Sequence, residues 1–113
     1  MKTENGYPDF FDSLPQADIP ISGIEAKLLQ GEEHQVVFFD VGEKSCIPPH
    51  SHSAQWGVVI SGEMRLEMRG KQFLLLKGDS YFIPEKTEHR VEVSAGFKAV
   101  DIFFENARYN VKK

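Results

Sequence analysis

The stretch "PPHSHSAQWGVVISGE", residues 48–63, begins with two prolines and two closely spaced histidines and continues into a run of β-forming residues. Pro48 and Pro49 fix the backbone just ahead of His50 and His52, two of the four histidines in the chain. Residues two apart on an extended segment face the same way, so the two imidazoles project together. Such a pair begins a transition-metal site if a third inward-facing ligand exists.

The third ligand is predicted in "HRVEV", residues 89–93. In this alternating stretch His89 shares the apolar face with Val91 and Val93. By itself, a His-x-His pair in a Ser-rich loop favours solvated side chains, but an inward histidine on a distant strand shifts the balance toward metal. The sequence therefore predicts one divalent transition metal (zinc, nickel, manganese or iron) bound by His50, His52 and His89.

The segments before and after His50 and His52 are short and rich in β-forming residues, with Gly, Pro or Ser between them. They are "IEAKLLQ", "HQVVFFDV", "WGVVIS", "EMRLEMR", "QFLLLK", "SYFIP", "HRVEVS" and "FKAVDIFF". No window keeps a helical apolar period for more than two turns. This pattern predicts an all-β sandwich or barrel over residues 24–113. Residues 1–23, with three prolines and two glycines, are predicted to form an extended arm with one short helical turn at 9–14.

Composition excludes several classes of protein. A chain of 113 residues is enough for one domain, and its net charge of −4 without a basic run argues against nucleic acid or an anionic membrane as partner. No apolar stretch approaches the roughly 20 residues that span a bilayer. The polar N-terminus has no apolar signal core, so we expect a cytoplasmic protein. The single Cys46 is expected to be a small core residue, in phase with Pro48 and His50.

The last predicted strand, "FKAVDIFF", contains an acid. Asp101 shares a face with apolar residues such as Phe103. A carboxyl group in such a place either has a raised pKa or forms an ion pair with a cation. A raised pKa would suit a general acid or base, whereas pairing with Lys98 or Arg90 would make it structural. Arg108, seven residues later, is a candidate clamp for a small anionic ligand.

Two motifs carry a resemblance to a known family. His50, His52, Gln55 and Gly62 fit the first motif of the cupins, with six residues between Gln55 and Gly62. Gly78, Pro84 and His89 fit the second, in "GDSYFIPEKTEHR". The chain thus resembles a small single-domain cupin of the conserved-barrel "cupin 2" type, which implies an antiparallel β-barrel of jelly-roll type.

The chain departs from the cupin motifs at three places. Lys44 and Lys86 stand where glycines are usual, and Gln55 stands in the place of the usual glutamate ligand. Three neutral imidazoles with a neutral amide leave the charge of a metal uncompensated, which suits a Lewis acid better than a redox iron. Gln55 either binds the metal directly or hydrogen-bonds a metal-bound water or ligand.

The Asp-x-Phe and Arg ending is similar to that of the pectin-degradation cupins, which open unsaturated uronates to linear keto-acids, although the spacing from Asp101 to Arg108 is one residue longer. This resemblance implies an isomerase or lyase acting on a small sugar acid or related oxygenated metabolite, with Asp101 moving a proton and Arg108 holding the substrate. Two alternatives stay open: an iron-dependent dioxygenase using the same histidines, and a non-catalytic module that binds a small molecule.

The sequence also predicts a homodimer. Both faces of "WGVVIS" and "FKAVDIFF" carry apolar residues, more than one small barrel buries inside. The arm is expected to be free to pair with the sheet edge of a neighbouring chain. Inside the barrel, Tyr81 and Phe38 are candidates to line the pocket, and Trp56 is expected to pack against the neighbouring sheet.

Overall fold

The computed structural model describes residues 6–113, and within them the all-β prediction is confirmed. One short 3-10 helix, Asp9–Ser13, precedes nine strands. The strands are β1 (Ile24–Gln30), β2 (Gln35–Val41), β3 (Ser45–His50), β4 (Gln55–Ser61), β5 (Glu63–Met68), β6 (Lys71–Leu76), β7 (Ser80–Ile83), β8 (His89–Val93) and β9 (Lys98–Phe103). Among the described residues, no helix is long and apolar enough to cross a membrane.

Two antiparallel sheets face each other across an apolar core, and a second, smaller apolar cluster joins Ala17 of the arm to Leu28, Val37 and Phe103 of the five-stranded sheet. The five-stranded sheet has the order β1-β2-β9-β4-β7, and the four-stranded sheet has the order β3-β8-β5-β6. Val59 and Ile83 of the first sheet pack in the same cluster as Leu66 and Val93 of the second. Buried residues alternate with more exposed ones along strands such as β9, "KAVDIF", so these strands deliver side chains to the space between the sheets.

Three positions of the cupin motifs, Gly62, Gly78 and Lys86, have left-handed backbone. Gly62, between β4 and β5, has φ +74°, and a Cβ there would lie 2.7 Å from the Cα of Phe97, so only glycine fits. Lys86, at the place of a usual glycine, has φ +58°. Its N–H donates to the carbonyl oxygen of His52 at 2.9 Å, which ties the β7–β8 turn to the loop that carries the histidine.

The first five residues of the predicted arm lie outside the described chain, and the rest of the arm, residues 6–23, lies against its own barrel. Gln16 bridges to Lys27 of β1, and Ala17 bridges to Val111 near the C-terminus. This differs from an arm free to pair with a neighbour, because its backbone groups bond within the chain. The predicted helical turn is present, and its Phe11 packs on Phe38 with ring centroids 4.4 Å apart. Phe38 therefore lies on the outer face of the sheet beneath the arm and does not line the pocket.

Two further side chains point outward. Cys46 is exposed, because the pairing of β3 with β8 shifts between Ile47 and His50 and breaks the alternation that placed Cys46 in phase with His50. Trp56 is 38% exposed on the outer face of the five-stranded sheet and does not pack against the other sheet.

Candidate metal centre

The three predicted histidines converge at one end of the barrel. His50 ends β3, His89 begins β8, and the two are cross-strand partners, while His52 follows in the loop. The ring centroids of His50 and His89 are 4.2 Å apart, and His52 lies 5.0 Å and 4.9 Å from them. One ligand atom from each residue lies within 4.8 Å of the others. The triad is thus positioned to bind a metal ion.

Backbone carbonyls orient all three rings. The Nδ1 atoms of His50, His52 and His89 lie 3.0, 2.7 and 2.9 Å from carbonyl oxygens of Pro48, Ser53 and Thr87. An Nδ1–H that donates to a carbonyl leaves the Nε2 lone pair for a metal. Burial lowers the pKa of each histidine, that of His52 to about 4. The neutral, coordinating form is therefore favoured at neutral pH.

Gln55 supplies an oxygen beside the histidines. Its side chain is buried on β4, and Nε2 donates to Oδ2 of Asp101 at 2.5 Å. Its Oε1 is buried without a hydrogen-bond partner in the described chain, which is a costly arrangement for a carbonyl. Gln55 lines the same cavity as the triad. The residues present therefore fit a metal, with three imidazoles and one unsatisfied oxygen as donors.

Asp101 is fully buried on β9 and belongs to the same cavity. Tyr81 of β7 donates its hydroxyl to both carboxylate oxygens, at 2.7 and 2.8 Å. The two cations considered as structural partners bond elsewhere, Lys98 to Asp40 and Arg90 to Glu92. Burial raises the pKa of Asp101 to about 7, although the hydrogen bonds from Gln55 and Tyr81 lower it.

Arg108 lies beside the histidine cavity and does not line it. Its guanidinium carbon is 4.4 Å from the ring centroid of Tyr109 and 5.7 Å from that of Phe103. Its Nε is buried without a hydrogen-bond partner among residues 6–113. Arg108 lines an adjoining cavity that also contains His50, and its charge contributes to the lowered pKa of all three histidines.

The cavity inside the barrel has a volume of about 50 Å³, which is enough for a few water molecules and below the usual range for small-molecule sites. Its wall is mainly apolar, with residues such as Met64, Val91 and Phe97, and its polar groups gather at the histidine end. Only a small part of a ligand fits in this space, where it would be surrounded by apolar side chains and held by few polar contacts.

The comparison with protein families gives a match to the cupin domain family over residues 35–103, more than half of the 113 residues. This chain is a member of the cupin family. Its two sheets and its histidine cluster agree with the cupin motifs identified in the sequence. Comparison with curated proteins gives no match.

Solved structures share the cupin fold. KdgF from Halomonas sp. is 24% identical with a TM-score of 0.73, over 86% of this chain and 92% of that one. An RmlC-like cupin from Shewanella frigidimarina is 25% identical with a TM-score of 0.74, over 86% and 87%. A single-substitution variant of oxalate decarboxylase from Bacillus subtilis is 18% identical with a TM-score of 0.70, over 86% of this cupin but 29% of that chain.

The sequence did not reveal that Tyr81 donates its hydroxyl to Asp101, or that Gly57 leaves the space in which the two side chains meet. Tyr81 was predicted only to line the pocket. Gly57 occupies an inward position of β4 between Gln55 and Val59. A glycine at an inward strand position often marks a close approach of neighbouring groups, and this signal was present in "QWGVV".

Proposed function

We propose that this cupin is a metal-dependent isomerase or lyase that acts on a small carboxylate, a sugar acid or a related oxygenated metabolite. The observation that supports this most is that three convergent histidines and a buried acid, Asp101, line one cavity. A bound divalent metal (zinc, nickel, manganese or iron) would act as a Lewis acid that polarises a carbonyl or hydroxyl oxygen.

Asp101 is the group proposed to hold or move a proton. Its carboxylate lines the cavity, away from solvent, and its pKa of about 7 is suited to proton transfer near neutral pH. Tyr81 fixes the carboxylate at both oxygens, so the reacting atom would have a defined position.

Arg108 is the group proposed to hold the carboxylate of the substrate. The guanidinium of Arg108 lies over the ring of Tyr109, which fixes its position. Its buried Nε has no hydrogen-bond partner within the described chain and could donate to a substrate carboxylate. With Asp101 in the histidine cavity and Arg108 in the adjoining one beside His50, an anionic substrate would lie across the histidines with its charged end toward Arg108. The resemblance of the chain end to the pectin-degradation cupins supports a sugar acid.

The donor set bears on the choice of metal. Three neutral imidazoles and the neutral amide of Gln55 do not offset the charge of a divalent ion, which favours Lewis-acid chemistry over oxygen activation by iron. One relative in fold, the oxalate decarboxylase of Bacillus subtilis, is described with Mn(II) centres.

A second candidate function is a module that binds metal and a small ligand without turnover. Full burial of Asp101 favours it, because both carboxylate oxygens already accept hydrogen bonds. A carboxylate held in this way could serve structure alone.

Turnover by an Asp101→Asn variant distinguishes the two candidates. Protein purified without added metal is first analysed for metal, and the loaded protein is then screened with uronates and other small acids by thermal shift and by product formation. Asp101→Asn is expected to lower the rate on a substrate by about 10²–10⁴-fold while sparing metal content, because the amide keeps an acceptor oxygen and loses the acid. Unchanged turnover would refute the proton-transfer role, and binding without turnover in the wild type would favour the binding module.

Arg108 is tested on the same ligand. Arg108→Ala should weaken binding of a carboxylate by about 1.5–3 kcal/mol, the scale of a charge-assisted hydrogen bond, and should leave metal content unchanged. A matched uncharged ligand, such as the corresponding amide, should lose little affinity. Equal losses for the acid and the amide would show that Arg108 does not hold the carboxylate.

A further inference from the structure

The inner face of the five-stranded sheet contains a gap at Gly57. In register, Gly57 of β4 lies opposite Tyr81 of β7 on one side and Asp101 of β9 on the other. A Cβ at Gly57 would lie 2.5 Å from the Tyr81 hydroxyl oxygen and 2.6 Å from Oδ2 of Asp101. The absence of a side chain here is therefore what lets the phenol of Tyr81 cross over β4 and reach Asp101.

The phenol and the carboxylate then determine which way the amide of Gln55 points. Tyr81 donates to both oxygens of Asp101, so the carboxylate cannot swing away. When Asp101 is ionised its carboxylate only accepts hydrogen bonds, and it faces the Gln55 side chain. Only the NH₂ end of the amide makes a hydrogen bond there, as the contact from Nε2 to Oδ2 at 2.5 Å shows.

The opposite end of the amide is then the oxygen. Gln55 Oε1 is buried, has no hydrogen-bond partner within residues 6–113, and belongs to a side chain that lines the histidine cavity. An amide oxygen has lone pairs for a metal, whereas an amide NH₂ has none to offer. A flipped amide would place the NH₂ end toward the histidines and remove the fourth donor.

We propose that Gly57, Tyr81 and Asp101 form an orienting unit that holds the amide of Gln55 with Oε1 toward His50, His52 and His89, as the fourth donor to a divalent metal. Asp101 and Tyr81 act here as positioning residues. The inference rests on the metal site of the proposed function. It gives Asp101 a role in metal binding that is separate from proton transfer.

The test is a double-mutant cycle on metal affinity. Apo protein is titrated with Zn²⁺ in competition with a chromogenic chelator. Gln55→Ala and Asp101→Leu are each expected to lower the affinity about 10–100-fold, the usual effect of losing a group that orients a ligand. Because both changes remove the same interaction, the double variant should be no weaker than Gln55→Ala alone. Additive losses would overturn the inference.

Rescue by a carboxylate separates orientation from general damage. Glutamate has two equivalent oxygens, so it presents a donor to the metal whichever way it is turned. Adding Gln55→Glu to Asp101→Leu should therefore restore the affinity to within a few-fold of the wild type. A packing defect caused by the leucine would not respond to this change, and failure of the rescue would overturn the inference.

Two gentler changes keep the inference falsifiable if Asp101→Leu does not fold, which circular dichroism would reveal. Tyr81→Phe removes one hydroxyl and should lower zinc affinity several-fold, and Gly57→Ala should do at least as much by displacing Tyr81. Both effects should vanish in the Gln55→Ala background, and persistence there would refute orientation.

If Gln55→Ala binds zinc like the wild type, this inference fails alone. If the wild type binds no metal, the proposed function fails with it.

Discussion

The two sheets differ on both of their faces. On the inner side, the four-stranded sheet supplies the nitrogen donors His50 and His89, whereas the five-stranded sheet supplies the oxygen groups of Gln55, Asp101 and Tyr81. The site lies where these two sets meet. The two strand-borne histidines and the proposed proton-transfer group therefore belong to different sheets.

The outer face of the four-stranded sheet carries paired charges. Arg65 lies opposite Glu92, and Glu67 lies opposite Arg90, so opposite charges are cross-strand neighbours. Exposed apolar side chains on this sheet include those of edge strand β6, such as Leu74 at 50%. This pattern is typical of a sheet face in contact with water.

The outer face of the five-stranded sheet is crossed by an apolar row. One outward residue from each strand contributes at the same register: Leu29, Val36, Ile102, Trp56 and Phe82. Leu29 is 52% exposed and Phe82 is 50% exposed. Unlike the charged outer face of the four-stranded sheet, this apolar row would be stabilised by burial against another surface. We propose that this surface belongs to a second copy of the chain.

The largest effect is expected from the nitrogen donors. His89→Ala should lower zinc affinity by more than about 100-fold and abolish the rise in melting temperature on adding metal, since it removes a donor outright. His34→Ala is the matched control, because His34 is exposed and lies outside the triad. Full metal occupancy in His89→Ala would show that the site is misassigned.

The apolar row is tested by charge. Phe82→Lys combined with Trp56→Lys should dissociate a dimer, because two buried lysines would lack partners in the interface. The sedimentation mass should fall to that of one 12.8 kDa chain. Leu74→Lys makes the same kind of change on the charged sheet at the same exposure as Phe82, and it should leave the mass unchanged. A monomeric wild type would rule out the dimer.

The inner faces differ also in how much of them the sequence predicted. The triad could be predicted because strand alternation applied at His89 and the two-residue spacing applied at His50 and His52. The same reasoning misplaced Cys46, because the irregularity of β3 between Ile47 and His50 is a property of pairing with β8. Local spacing alone does not reveal such a shift.

The partners of Asp101 show the same limit. Sequence proximity and alternation suggested Lys98 and Arg90, whereas the observed partners Gln55 and Tyr81 come from β4 and β7. Strand order and register decide which inward side chains meet, and both arise from the whole chain. The apolar row on the outer face of the five-stranded sheet could be predicted only in part, for the same reason. The sequence shows that two strands have apolar residues on both faces, but it does not show that such residues align across five strands.

The pH dependence of stability should separate the inner groups. Burial lowers the pKa of His52 from 6.5 to about 4. Its contribution to the free energy of unfolding is therefore complete above pH 6.5 and is lost as the pH falls through 4. The pKa of Asp101 is raised to about 7, so its contribution is full below pH 3.8 and is lost as pH rises through 7.

Melting temperatures of apo and zinc-loaded protein across pH 4–9 measure these contributions. The zinc-induced rise should be smaller at pH 4.5 than at pH 8, because protons compete for the histidines. In apo Asp101→Leu, the loss of stability between pH 6 and 8 should become shallower than in the wild type. Equal zinc-induced rises at both pH values would contradict the first expectation, and an unchanged alkaline slope would contradict the second.

The smallest effect concerns the part of the apolar outer face that the arm already covers. The Tyr7 hydroxyl donates to carbonyl oxygens of Phe39 and Ala99, at 2.7 and 3.0 Å, and so joins the arm to two adjacent strands. Tyr7→Phe keeps the ring on Phe38 and removes these bonds, which should cost about 1 kcal/mol and lower the melting temperature by roughly 4 °C. Phe10→Leu, at a largely exposed position of the same arm, should change it little. If the two variants melt together with the wild type, the arm does not hold this position in solution, and the apolar face would be open along its whole length to a second chain.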